Sequence, residues 1–231
     1  MKLNRNQLKY LLITAMLIDH LTAAFVTPHT VLGQALHFIG RLTGPGMSLL
    51  LAEGYQYTRD RRKYALRLLA FVFVSWVPYC LFCFRKWPYV GFGMFGMFWA
   101  LFVAFMTVWM WDKLNVNKAV KVLLVIVAVG ISSVGDWIGA AVLWALFAFI
   151  YKGDPVKKWI AYSVVALMWI AGTMILFKPA INSLYQIGVF AVPFIYTYLY
   201  NKKPGSKNAF HKWFFYAFYP AHMLILYLIV R

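Results

Sequence analysis

Apolar residues run through this chain in long blocks, each closed by a short basic or polar break. Nine such blocks can be drawn, at residues 8–27, 35–56, 64–84, 90–111, 120–133, 136–151, 157–177, 183–200 and 211–230. Most approach the roughly 20 apolar residues that a helix needs to cross a hydrocarbon core of about 30 Å. The pattern predicts an all-α fold, a polytopic integral membrane helical bundle of about nine spans, organised as a single transmembrane domain over residues 1–231. The fifth and sixth blocks are short. They read as a helix pair meeting around Ser132–Asp136 or as one long tilted helix.

The basic residues separate these two topologies. With nine spans, eighteen Lys and Arg side chains fall on the side of the amino terminus and four on the other; with one long helix the division is thirteen against nine. The positive-inside rule therefore favours nine spans with the amino terminus in the cytoplasm. The first block is long and interrupted by Asp19-His20, so it reads as a retained span and not as a cleaved signal peptide. Gly44-Pro45-Gly46 predicts a break inside the second span. Broken backbone at membrane depth needs protein or water to satisfy it, which places a cavity near the second span, with Arg41 one turn before the break.

Composition sharpens the class. Of 231 residues, 63% are hydrophobic and 13% charged, about half the roughly 25% charge of soluble domains. The formal net charge of +17 is spread between the apolar blocks and gathers into no basic arm or face, which argues against nucleic acid as a partner. Cys80 and Cys83 have C-x-x-C spacing in an apolar setting without zinc or redox context, so no metal site is expected.

Chemistry enters with the ionisable residues inside the blocks. Each costs at least about 2.5–3.5 kcal/mol at mid-membrane and marks a functional site by default. Asp19 and His20 follow Lys9 by ten and eleven residues, or about 15–16 Å along a helix. Eleven residues make three turns plus about 20°, so Lys9 and His20 share a face. Asp19 is rotated by about 100°, onto a stripe with Ala15, Thr22 and Ala23 that suits close helix packing. It is expected to pair with another helix. Arg41, which keeps its proton and needs an anion, is the expected partner; a purely structural ion pair fits the same residues.

His222 lies ten residues beyond Lys212, with Tyr219 three residues before it, and suits either chemistry or helix packing. His37 precedes Arg41 by four residues, on the same face. Glu53 falls near the inner end of the second block, and Asp136 in the turn between the short ones, where it also suits a cap. Arg59-Asp60-Arg61-Arg62-Lys63 can anchor lipid headgroups or hold phosphates.

Lys9 and His20 fit a Lys/Arg-x10-His pattern, and Arg59 and Arg62 an Arg-x-x-Arg pattern. Both resemble marks of the acyltransferase type 3 superfamily of membrane acyltransferases. More closely, Leu17-Ile18-Asp19-His20, Ile39-Gly40-Arg41-Leu42, Leu51-Ala52-Glu53-Gly54, Thr58-Arg59, Tyr64–Leu69 and the tail Trp213–His222 resemble the TraX family. Its best-known member is the acetylase of F-type conjugative pilin. The resemblance implies a multi-pass acyltransferase of the bacterial inner (cytoplasmic) membrane, with acetyl-CoA as acyl donor. The implied acceptor is the N-terminal amine of a pilin-like or other small membrane-embedded peptide. In that reading Lys9, Arg59 and Arg62 hold the phosphates of CoA, and His20 is the general base. Asp19, Arg41 and His222 complete the catalytic set, and Glu53, Tyr219 and Asp136 meet the substrate. A proton-coupled transporter or channel is the alternative, since a proton relay uses the same residue types. Such a protein is expected to carry inverted repeats with paired broken helices, and the sequence has a single clear Gly/Pro break.

Overall fold

The computed structural model describes residues 2–176, 180–206 and 208–231. Phe177, at the end of the seventh predicted block, and the basic residues Lys178 and Lys207 lie outside the described residues. Among these the chain is helical, with β-type pairing confined to two isolated bridges. The α-helices are α1 (Arg5–Phe25), α2 (Val31–Gly40), α3 (Thr43–Tyr57), α4 (Arg61–Phe84), α5 (Met97–Lys113), α6 (Lys118–Ser132), α7 (Ala140–Ile150), α8 (Pro155–Leu176), α9 (Ala191–Phe194) and α10 (Ala209–Val230). A 3-10 segment (Ala180–Phe190) precedes α9 and a π-helical turn (Ile195–Leu199) follows it.

Local chemistry sets many helix starts. Asn4 and Gln7 form a reciprocal capping box on α1, and Thr30 accepts from the Gly33 amide on α2. Asp60, Asn117, Asp154 and Asn208 accept from the Lys63, Val120, Lys157 and Phe210 amides at the starts of α4, α6, α8 and α10. Each cap satisfies an amide that has no partner within its own helix.

Among the described residues, four helices, α1, α4, α8 and α10, are long and apolar enough to cross a membrane, and α7 is a shorter apolar helix. Leu66, Phe73, Leu167, Met168, Leu228 and Ile229 are exposed on them, the kind of apolar surface that a bilayer covers.

The second predicted span needs correction. It is two helices, α2 and α3, and the chain turns at Arg41-Leu42 instead of breaking at Gly44-Pro45-Gly46. Pro45 is the third residue of α3, in a first turn whose amides have no intrahelical acceptor, so its missing N–H costs the helix nothing. Gly46 serves a different need: a Cβ there would come within 2.6 Å of the Leu12 side chain. The fifth and sixth blocks form two separate helices, α6 and α7. Trp137 and Gly139, with φ of 60° and 75°, turn the chain between them. The eighth block is mostly non-α, made of the 3-10 segment, α9 and the π turn.

The chain packs as two compact units, residues 1–47 with 163–231, and residues 48–162. In the first, α1 packs against α2 and α10, and α2 against the 3-10 segment. Ala15 and Thr22 are buried on α1, while Ala23 of the same stripe is exposed; small residues allow this close approach. In the second unit, α5 packs against α4, α6 and α7. Its Ala104, Phe105 and Val108 have no exposed surface.

Candidate functional site

The first unit gathers its polar side chains where α1 meets α2. A Cβ on Gly40 would overlap the Asp19 carboxyl, so a glycine is required for this approach. The Asp19 carboxylate accepts from His37 Nδ1 at 2.7 Å and, more closely still, from Arg41. His37 and Arg41 are one turn apart, which is why both reach the same carboxylate. The three side chains retain only 15%, 10% and 16% exposure for Asp19, His37 and Arg41. The expected Asp19–Arg41 pair is therefore present, with His37 as a third member. Opposite charges and hydrogen bonds together offset the desolvation that burial imposes on each.

The 3-10 segment closes one side. The Tyr185 ring lies 5.1 Å from the His37 ring and 5.2 Å from the Arg41 guanidinium carbon. Gln34 pins the segment to α2, donating to the Asn182 carbonyl at 3.0 Å and accepting from the Tyr185 amide at 3.1 Å. Gly188 is a second close approach, since a Cβ there would overlap the Phe38 carbonyl.

The neighbouring residue on α1 engages the last helix. His20 Nδ1 and His222 Nε2 are 2.7 Å apart, with the rings inclined by 21°. His222 Nδ1 is 2.7 Å from the Phe218 carbonyl. A carbonyl only accepts, so Nδ1 of His222 carries a proton, and in the neutral ring Nε2 is the acceptor. His20 Nδ1 then donates to it, and the neutral His20 ring holds its lone pair on Nε2. The same reasoning applies to His37: its Nδ1–H faces a carboxylate, which puts the lone pair on Nε2. Pro220 lies within α10, two residues before His222, and brings no N–H to the ladder of that helix. Tyr219 is buried, its ring edge-to-face with His222 at 5.8 Å.

Of the sequence-predicted residues, Asp19, His20, Arg41, His222 and Tyr219 thus come together in the first unit. Lys9 belongs to it too, with its ammonium 5.2 Å from the Phe215 ring centre. Arg59 and Arg62 lie in the second unit, lining a cavity of about 490 Å³ with Asp60, Arg61, Trp109 and Lys113. Four cations face one carboxylate there. Beside it the Arg61 guanidinium packs on Tyr55 at 4.6 Å, and the Tyr55 hydroxyl donates to Asp112 at 2.6 Å. Glu53 is half-buried on α3. Asp136 accepts from the Trp137 amide at 2.8 Å in the α6–α7 turn; it is a turn residue there, and the N-cap of α7 is Gly139.

A family model described as TraX protein matches residues 4–230. The chain belongs to the TraX family. It is also similar to a probable fimbrial assembly protein FimC, serogroup H1, of Dichelobacter nodosus, at 26% identity over 233 residues, covering 95% of this chain and 93% of that relative. No solved structure matches.

In this TraX-family chain, sequence reasoning left three participants out of the site. His37 was visible as a partner of Arg41 at helical spacing, but nothing local ties it to Asp19. Gly40 sits inside the quoted motif, yet its close approach needs α1 in place. Tyr185 is separated from Arg41 by 144 positions and carries no motif.

Proposed function

We propose that this chain is a membrane acyltransferase that moves an acetyl group from acetyl-CoA to the N-terminal amine of a pilin-like or other small membrane-embedded peptide. One observation carries the reading: the Phe218–His222–His20 chain of hydrogen bonds, which leaves the neutral His20 ring with its lone pair on Nε2. That is the form a general base requires. The amine attacks the thioester carbonyl, His20 Nε2 takes a proton from the nitrogen, and the C–S bond breaks to release CoA. Arg41, its charge moderated by Asp19, supplies positive charge for the oxyanion. His222 orients His20, and Tyr219 holds His222 in place.

The cavity of the second unit suits the donor. Arg59, Arg61, Arg62 and Lys113 match the phosphates of CoA in charge, and the Trp109 ring suits its adenine. Membership of the TraX family and the fimbrial-assembly relative support a pilin-related role. Location in the bacterial inner membrane, with the amino terminus cytoplasmic, belongs to the same proposal and rests on the distribution of basic residues.

The test is transfer itself. Purified protein in detergent or liposomes, given acetyl-CoA and an acceptor peptide, releases CoA thiol and adds one acetyl group to the peptide amine by mass spectrometry. His20→Ala abolishes both signals; full activity in that variant removes His20 from the mechanism. pH-dependent ion flux in liposomes without acyl-CoA, and no transfer, would favour the transporter reading.

A further inference from the structure

Acyl transfer to an ammonium ion takes two protons from nitrogen and returns only one to sulfur. At neutral pH an N-terminal amine is largely an ammonium ion, its ordinary pKa being about 7.7–8.0. It must lose one proton before it can attack. The tetrahedral adduct then carries a second excess proton on nitrogen, which must leave before the amide forms. The departing thiolate takes one proton up. Two protons are removed, one is returned to sulfur, and one goes to solvent.

Three imidazoles of the first unit carry their proton on Nδ1: His222, whose Nε2 is taken up by His20, and His20 and His37, whose Nδ1 atoms engage His222 and Asp19. The supports of His20 and His37 differ. His222 is a neutral acceptor, whereas Asp19 is an anion that stabilises an imidazolium directly behind it, the arrangement by which a carboxylate orients a histidine base. His37 is buried, and His20 lies within electrostatic reach of Asp19, Arg41, His37 and His222. The groups facing His37 are Asp19 on α1, with His20 next to it in the chain, Arg41 at the end of α2, and the Tyr185 ring of the 3-10 segment.

We infer, on the basis of the acyltransferase reading above, that His37 is a second catalytic residue, whose Nε2 takes the proton that the acceptor ammonium loses before attack. His20 Nε2 then takes the proton of the tetrahedral adduct and returns it to the thiolate sulfur as the C–S bond breaks, and His37 releases its own proton to solvent. The division follows charge: the base that must hold a proton until release is the one backed by a carboxylate.

His37→Asn tests this, because an asparagine amide can occupy the Nδ1 position and keep the donor to Asp19 while removing Nε2. Such a variant uses only acceptor that is already unprotonated. Between pH 9 and pH 6.5 the free-amine fraction of an ordinary α-amine falls about 20-fold, so the variant loses roughly that factor at pH 6.5 and little at pH 9. An acceptor peptide carrying an alkoxyamine in place of the amine, unprotonated at pH 6.5, restores the wild-type rate at that pH. His20→Ala loses activity at both pH values with either acceptor. A His37→Asn enzyme with wild-type rates throughout, or one impaired equally at both pH values and with both acceptors, overturns the assignment and leaves the acyltransferase reading standing. A wild-type protein that transfers no acetyl group overturns both.

Discussion

His20 and His222 are separated by 202 positions in the chain and by 2.7 Å in the fold. The bond ties the first helix to the last, and through the Phe218 carbonyl it sets which nitrogen of His20 bears the proton. A residue that acts this way contributes through orientation and tautomer, so its removal is expected to affect turnover more than substrate binding.

His222→Ala is therefore expected to lower kcat about 10–100-fold, the usual effect of losing an orienting partner, with little change in KM. His222→Gln presents a carbonyl oxygen near the position of Nε2 and recovers most of the loss. Steady-state kinetics with His222→Leu added separates this role from packing, because leucine fills the volume as glutamine does but offers no acceptor.

Asp19 and Arg41 make a second test, of stability against activity. Arg41→Gln leaves a buried carboxylate without its cation and is expected to destabilise the first unit by about 3–5 kcal/mol. Adding Asp19→Asn removes the stranded charge and restores much of that stability, because replacing a whole buried pair is far milder than breaking it. Activity does not return in the double variant, which has lost both the oxyanion cation and the carboxylate. Thermal melts and transfer assays on the three proteins check both halves.

Much of this was legible in the sequence, and the residues show where legibility stops. The apolar blocks locate α1, α4, α8 and α10 because a bilayer imposes length and polarity on each helix separately. The Asp19–Arg41 pair was foreseeable because a membrane-buried arginine requires an anion and few were on offer. The position of the break in the second block was not. Pro45 reads as a helix breaker, but its effect depends on whether it sits in the first turn, and that is set by where Arg41 must stand to meet Asp19. The bond between His20 and His222 depends on the packing of α1 on α10, which no local pattern encodes. Tyr185 lies in a 3-10 segment that follows no α-helical period, and its register with α2 is set by contacts such as the Gln34 bond to its amide.

The caps give the pH dependence that the exposed loops should show. Asp60 and Asp154 have their pKa values held below the ordinary carboxylate range, chiefly by the Lys63 and Lys157 amides that donate to them. A depressed carboxylate contributes stability that is complete above its unfolded pKa of about 3.9 and is lost as pH falls through the lower folded value. The melting temperature is thus expected to fall on acidification below about pH 4. Asp154→Asn keeps a good cap and removes that residue's share of the acid slope. An unchanged slope in Asp60→Asn/Asp154→Asn double variants would assign the acid loss to other carboxylates.

The basic cavity of the second unit yields the last prediction. Arg59 and Arg62 are exposed at its rim, so replacing them leaves packing intact and isolates their charge. A hydrogen bond to a charged group is worth about 1.5–3 kcal/mol, or roughly 10–100-fold in affinity. Arg59→Ala and Arg62→Ala are each expected to raise KM for acetyl-CoA by at least about 10-fold, with kcat nearly unchanged, because the phosphates are held equally in the ground and transition states. Acetyl-pantetheine, which has the thioester but no phosphate, supplies the control: its transfer is slower in the wild type and insensitive to either substitution. If both substrates respond alike, the arginines act on the fold or the membrane surface and not on the donor's phosphates.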